Sequence, residues 1–148
     1  MADLQNTLIF DRTAADVTAK NIKGTYDYTD LNRVTAAAKQ LKTTLNALGY
    51  IVPYEPPIIA HLDGTTSDEW RETDEDIRKS KIESYLTEVL KIKDVLPIDI
   101  PPDLPTTMNR LTYQGANAIE KMLYEVYNLV ELMISFYYYS GEIYAGEV

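Results

Sequence analysis

Apolar residues recur at alternating spacings of three and four along two stretches of the chain, and that period predicts two long helices packing through a seam. In the first, Leu31, Val34, Ala38, Leu41, Leu45 and Leu48 mark a helix over residues 30–48, with Thr29 placed to cap its start and Gly49 to close it in a left-handed turn. In the second, Ala116, Ile119, Leu123, Val126, Val130, Met133 and Tyr137 mark a helix that begins after Thr112 and stops at Gly141, leaving residues 141–148, GEIYAGEV, as a short extended tail. A third helix, over residues 74–95, shows one apolar face of Ile77, Ile82, Tyr85, Leu86, Val89, Ile92 and Val95, with Thr73 and Asp76 spaced as a capping box. A shorter helix is expected over residues 14–22, between the apolar run Leu8, Ile9, Phe10 and Gly24.

Two segments between these helices are rich in proline. Residues 50–66 contain Pro53, Pro56 and Pro57, and residues 96–106 contain Pro97, Pro101, Pro102 and Pro105. Each proline lacks the N–H that a helix needs and biases its predecessor to extended backbone. The expected fold is therefore mainly α: an antiparallel bundle of about three long helices joined by proline-rich extended connectors, with short extended segments at both termini. At 148 residues the chain is sized for a single helical domain, or for a module that completes its core by oligomerising. In that bundle Leu31, Val34, Leu41 and Leu45 pack against Ile119, Leu123, Val126 and Val130. The two seams overlay when Asn32 is paired with Asn117, which aligns Val34 with Ile119 and Leu45 with Val130, a weak internal echo.

Charge narrows the function classes. The formal net charge is −9; residues 61–103 hold twelve acids against six bases, whereas residues 1–60 are balanced at six and six. Phosphate backbones and anionic membrane surfaces repel such a surface, so neither nucleic acid nor membrane is an expected partner. The absence of cysteine removes disulfides, thiolate metal sites and cysteine nucleophiles together. The first residues, MADLQNTLIFDR, lack the basic start and apolar core of a secretory signal, and the strongly apolar run 132–139 is far short of the roughly 20 residues that span a bilayer. Synthesis in the cytoplasm without signal-directed export is the expectation.

Catalytic signatures are missing: no phosphate loop with its lysine, no GxGxxG turn and no GxSxG elbow occurs. His61, the single imidazole, lies in a proline-flanked connector and reads as solvated or backbone-bonded, so neither a zinc hydrolase nor a serine triad is expected. Glu69, Glu72, Asp74, Glu75 and Asp76 offer carboxylates to a glycosidase, but a charge run ahead of a helix is explained more simply as a solvated, dipole-matched cap. Asp63, Gly64 and Asp68 lack the alternating oxygen ligands of a calcium loop. No catalytic residue, metal or cofactor is expected.

The aromatic residues point to contacts instead. Twelve tyrosines accompany two phenylalanines, and tyrosine joins apolar area to a hydroxyl that tolerates water, which suits protein interfaces and sugar-binding surfaces. Tyr137, Tyr138 and Tyr139 are consecutive, so a helix spreads them over roughly 200° and they cannot share one seam. They are candidates for contacts between chains; alternatively one is core and two pack under loops of the same chain. Trp70, alone within DEWRETDED, is either an exposed anchor for a partner or a ring folded over the bundle end. Ile143 and Tyr144 either add to a neighbour's sheet edge or belong to a frayed tail.

Three segments, FDRTAADV at residues 10–17, YTDLNRV at 28–34 and LTYQGANAIEK with YYYSGEIYAGE toward the C-terminus, resemble short proteins encoded in the tail and lysis regions of prophages of Gram-positive bacteria. The resemblance implies a virion structural protein: a non-enzymatic tail structural, adaptor or host-attachment component. Its partners would be other phage tail proteins, copies of itself in a homo-oligomer and, in an attachment role, a host surface glycan. The resemblance brings no catalytic signature onto these positions. Two other readings stay open. An acidic mimic of nucleic acid that inhibits a host nuclease would array carboxylates at phosphate-like intervals. A carbohydrate-binding tail accessory would expose Trp70 or the tyrosines in a groove.

Overall fold

The computed structural model describes residues 4, 6–74 and 79–147, with side chains described as far as Phe136. Among these residues the chain is mainly helical, and its only sheet is one two-stranded hairpin.

Helix α1 is Ala14–Ala19. The Thr13 hydroxyl accepts from the Asp16 N–H while the Asp16 carboxylate accepts from the Thr13 N–H, so the first turn satisfies two backbone donors reciprocally. The helix ends short of the expected Ile22 because Lys20 turns left-handed at φ 53°. Gly24 closes the following loop, where a Cβ would lie 2.0 Å from the Asp16 carbonyl oxygen; no side chain fits there.

Helix α2 is Tyr28–Ala47, and its cap is Asp27 rather than the expected Thr29. Asp27 accepts from the Thr29 N–H, and Asp30 accepts from the Asp27 N–H at 2.8 Å. Gly49 takes the left-handed turn expected of it, at φ 97°.

The first connector is not wholly extended. Strands β1, Ile59–Ala60, and β2, Thr66–Ser67, pair antiparallel with Ile59 opposite Ser67, and a short 3-10 turn follows at Glu72–Asp74. Helix α3 is Ile82–Leu90, continued by a 3-10 turn over Lys91–Asp94, and is much shorter than the expected span of 74–95. Asp74 is not at a solvated helix start: its carboxylate is buried and bonded to the hairpin. Asp76 and Ile77, assigned to that helix's cap and face, lie outside the described residues.

Helix α4, Tyr113–Glu147, has 35 residues and is about 52 Å long at 1.5 Å per residue. Thr112 caps it, accepting from the Gly115 N–H at 3.0 Å. Gly141 does not stop it, and residues 141–147 are helical rather than an extended tail. An interior glycine costs a helix only about 1 kcal/mol relative to alanine, too little to end it without a left-handed turn.

Helices α2, α3 and α4 run in the same direction, which corrects the antiparallel expectation. Near the helix starts, Arg33 bonds Glu120, and Ile82 shares a cleft with Asp27, Leu31 and Leu111. Toward the other end, Tyr50, just past α2, and Leu96, just past α3, share a groove with Leu129 and Met133 of α4. The non-helical connectors are the return strokes: fully extended, residues 95–111 reach up to roughly 55 Å, far more than α3 and its 3-10 turn require.

Along this parallel contact the predicted seam residues are core. Leu31, Val34, Leu41 and Leu45 of α2 and Ile119, Leu123, Val126 and Val130 of α4 are all buried, joined by Leu86, Val89 and Ile92 from the third element. Each such side chain contributes about 1.5–3 kcal/mol on leaving water.

Candidate functional site

Helix α4 outruns the body it packs on. Val130 is fully buried, yet Leu132 is 68% and Phe136 67% exposed, and roughly 25 Å of helix follow Val130. Where the helix leaves the body, Tyr50, Leu96 and Pro97 join Leu132, Met133 and Phe136 around a nearly all-apolar groove of about 430 Å³. At 100° per residue Leu129, Leu132, Met133 and Phe136 fall on one face and Glu131 falls opposite. Large apolar side chains gathered on one surface make this groove a candidate interaction surface, bordered by Asp99 and Glu125 where Leu129 and Leu132 also line the adjoining cleft.

The three segments that carry the prophage resemblance meet at the other end of the molecule, in a buried ionic cluster. Arg12 of the first segment donates to Asp30 of the second at 3.2 Å and to Glu120 of the third at 2.7 Å. Arg33 donates to Asp30 at 2.5 Å and, through Nε and Nη2, to Glu120 at 2.7 and 2.9 Å. Burial opposes the Arg33 charge, but the hydrogen bonds and fields of Glu120 and Asp30 more than offset it, so its pKa is raised. The Ile9 N–H is the fourth donor to Glu120, so both carboxylate oxygens accept twice and no lone pair is left for a substrate proton. The adjacent Tyr26 and Tyr85 hydroxyls lie 3.4 Å apart, and burial pushes both phenols well above their ordinary range. Two cations and two anions, mutually saturated, form a structural lock. Sequence reading missed it, although Arg12, Asp30, Arg33 and Glu120 all stand in the segments singled out.

His61 overturns its expectation. It is buried, with Nδ1 bonded to Asp74 and Nε2 2.7 Å from the Ser67 hydroxyl oxygen. The Ser–His–Asp connectivity judged absent from the sequence is therefore present. The other Asp74 oxygen accepts from the Leu62 N–H, and Ser67 Oγ accepts from the Glu69 N–H. Acyl transfer also needs donors aimed at a developing oxyanion. The neighbouring cleft is instead lined by the carboxylates Asp68 and Glu69, which disfavour negative charge, beside Asn32 and Lys39. The relay ties the 3-10 turn to the hairpin.

Trp70 is not an exposed anchor. It is 1% exposed, packs edge-on against Tyr85 at 6.0 Å, and is held through its backbone by Asn32. Of the acids near it, Asp68 pairs with Lys39, Asp63 with Arg71, and Asp74 is internal. The side chains of Tyr137, Tyr138, Tyr139, Ile143 and Tyr144 lie outside the described residues; their backbone is helical, so Ile143 and Tyr144 do not sit on a strand. Among the described residues no helix is long and apolar enough to cross a membrane. Comparison with protein-family models, with curated proteins and with solved structures found no match.

Proposed function

We propose that the chain is a non-enzymatic structural, adaptor or host-attachment component of a phage tail, acting in the virion through protein–protein contacts. The observation that carries the contact role is the projecting end of α4, where the half-exposed groove of Leu129, Leu132 and Met133 meets Tyr50, Leu96 and Pro97 on a helix that runs past its own core. The phage setting rests on the resemblance of three segments. The body supports this reading physically. Glu120 accepts four hydrogen bonds and His61 is sequestered, so neither offers a reactive group, and the apolar groove along the projecting end of α4 is the contact surface this reading uses. Burial of Trp70 removes one of the aromatics on which a sugar-binding reading leaned, and the pairs Lys39–Asp68 and Arg71–Asp63 interrupt the run of carboxylates that a nucleic-acid mimic would need. The test is mass spectrometry of particles purified after prophage induction. The polypeptide is expected at a stoichiometry fixed relative to known tail subunits; its presence in lysate but not in particles overturns the virion role.

A further inference from the structure

We propose that the polar cleft between α2 and the segment following β2 is a saccharide site that takes a single neutral sugar ring. This rests on the attachment branch of the tail reading and names the chemistry that attachment would use.

Asn32, Thr35, Ala36 and Lys39 recur at spacings of three, one and three, so they share one face of α2, and with Asp68 and Glu69 they line a cleft of about 250 Å³. Both walls are fixed. The Asn32 carboxamide grips the backbone of Trp70 through two bonds of 2.7 Å. The Glu69 N–H donates to Ser67 Oγ, which is held in turn by His61 and the buried Asp74. Lys39 Nζ reaches across to Asp68 Oδ2 at 2.8 Å. The groups that tether the hairpin therefore also set the shape of the cleft, as a preorganised site requires.

The floor carries the observation that points to a ligand. Thr35 is 5% exposed and lines the cleft. The Tyr54 hydroxyl lies against the Thr35 side chain, yet it is the one buried side-chain polar atom among the described residues with no well-formed hydrogen bond. Nearly all buried hydroxyls in folded proteins have such a partner, because leaving one without costs stability. Burial raises the Tyr54 pKa to about 12, so at neutral pH the phenol keeps a proton to donate. A ligand hydroxyl placed at Thr35 completes the chain: Thr35 donates to the ligand while its oxygen accepts from Tyr54.

The remaining groups select the ligand class. Asp68 and Glu69 repel an anion, and Lys39 repels a cation. A sugar hydroxyl donates and accepts at once, which suits a site where an ammonium, two carboxylates and a hydroxyl stand side by side. Ala36, exposed and lacking a long side chain, leaves a small apolar spot for the C–H face of a ring. The volume is below the roughly 300–1,000 Å³ of a drug-sized pocket, so the site holds one ring of a glycan and no more.

The experiment is titration of the full chain with neutral hexoses, N-acetylhexosamines and cell-wall polysaccharide fragments, followed by amide NMR shifts. Saturable shifts at Thr35, Ala36, Asp68 and Glu69 are expected with at least one neutral sugar. Ala36→Leu fills the cleft from an exposed helix position, so helicity and melting should stay while affinity falls at least about tenfold. Thr35→Val, which keeps the shape and drops the hydroxyl, should weaken binding by about tenfold. No saturable binding across the panel, shifts confined to another surface, or affinity kept in both variants overturns the proposal. Tighter binding of an alkylammonium or a carboxylate ion than of every sugar overturns it as well. Recovery from particles without sugar binding refutes this site and leaves the tail role standing; sugar binding by a polypeptide absent from particles supports the site and refutes the virion role.

Discussion

Asn32 and Asn117 perform the same act at equivalent positions of α2 and α4: each carboxamide grips the backbone of one residue outside any helix. The Asn32 side chain donates to the Trp70 carbonyl and accepts from the Trp70 N–H, both at 2.7 Å. Asn117 donates to the Arg12 carbonyl at 3.0 Å and accepts from the Arg12 N–H at 3.1 Å. A primary amide matches a peptide group in shape and polarity, so each asparagine supplies a one-residue strand partner where no strand exists. The sequence overlay pairs these two residues, and the fold gives them one role.

Alanine at either position strips the partners from a peptide N–H and C=O and should cost roughly 1–3 kcal/mol. The two variants separate spectroscopically. Asn32→Ala should shift the emission of Trp70, the only tryptophan, toward the red, because its backbone tether is lost; Asn117→Ala should lower the denaturant midpoint and leave that emission in place. An identical spectral response from both would show that the tethers are not local.

Glu120→Gln leaves Arg12 and Arg33 facing a neutral acceptor in a site from which water is excluded. Breaking a buried ion cluster on one side typically costs about 3–5 kcal/mol. The exposed pair Lys23–Asp11 serves as the control, and Lys23→Met should leave the denaturant midpoint nearly unchanged. Urea unfolding curves with equal slopes measure both, and near-equal losses would remove the special standing of the cluster.

His61→Phe should destabilise the hairpin by about 1–3 kcal/mol or more, since it strands the buried Asp74 carboxylate with only the Leu62 N–H. The same site should not react as a nucleophile. Incubation with a fluorophosphonate is expected to leave the intact mass unchanged, and an adduct mapped to Ser67 and abolished by Ser67→Ala would establish an enzyme.

Asp63 gives a pH signature. The Thr65 hydroxyl, then the Thr65 N–H, then Arg71 bond its carboxylate and hold its pKa at about 2, below the ordinary 3.8. Since the folded value is the lower one, the contribution to stability is complete above the ordinary value and disappears as pH falls through about 2. Carboxyl carbon shifts followed by NMR should titrate Asp63 near the lower value, whereas a midpoint near 3.8 would mean that the turn at Gly64 is not held by it.

Much of the helical content was legible. The spacing of Leu31, Val34, Leu41 and Leu45 and of Ile119, Leu123, Val126 and Val130 identifies buried faces because a helix repeats every 3.6 residues and water expels one side of it. Thr112 and Gly49 marked helix ends because capping chemistry is local. The extent of α3 was overread: Asp74, taken as its first residue, is drawn instead to His61 across the hairpin. Of the proposed contact residues, Trp70 was left open between an exposed anchor and a folded-back ring, and burial excludes the first, because exposure belongs to the surroundings of a ring and not to its neighbours in sequence.

The sequence by itself determined what short-range forces determine: which residues form helices, which faces they hide, where proline forbids a helix, and which chemistries lack their atoms. The tertiary structure alone decided the direction of the helices, the meeting of Arg12, Asp30, Arg33 and Glu120, the engagement of His61, and the point where α4 parts from its core. Those are relations between residues as many as 108 positions apart, as for Arg12 and Glu120. A local period carries no information about which distant surface it will meet; that choice is made when connectors of a given reach let charge and apolar area be satisfied together.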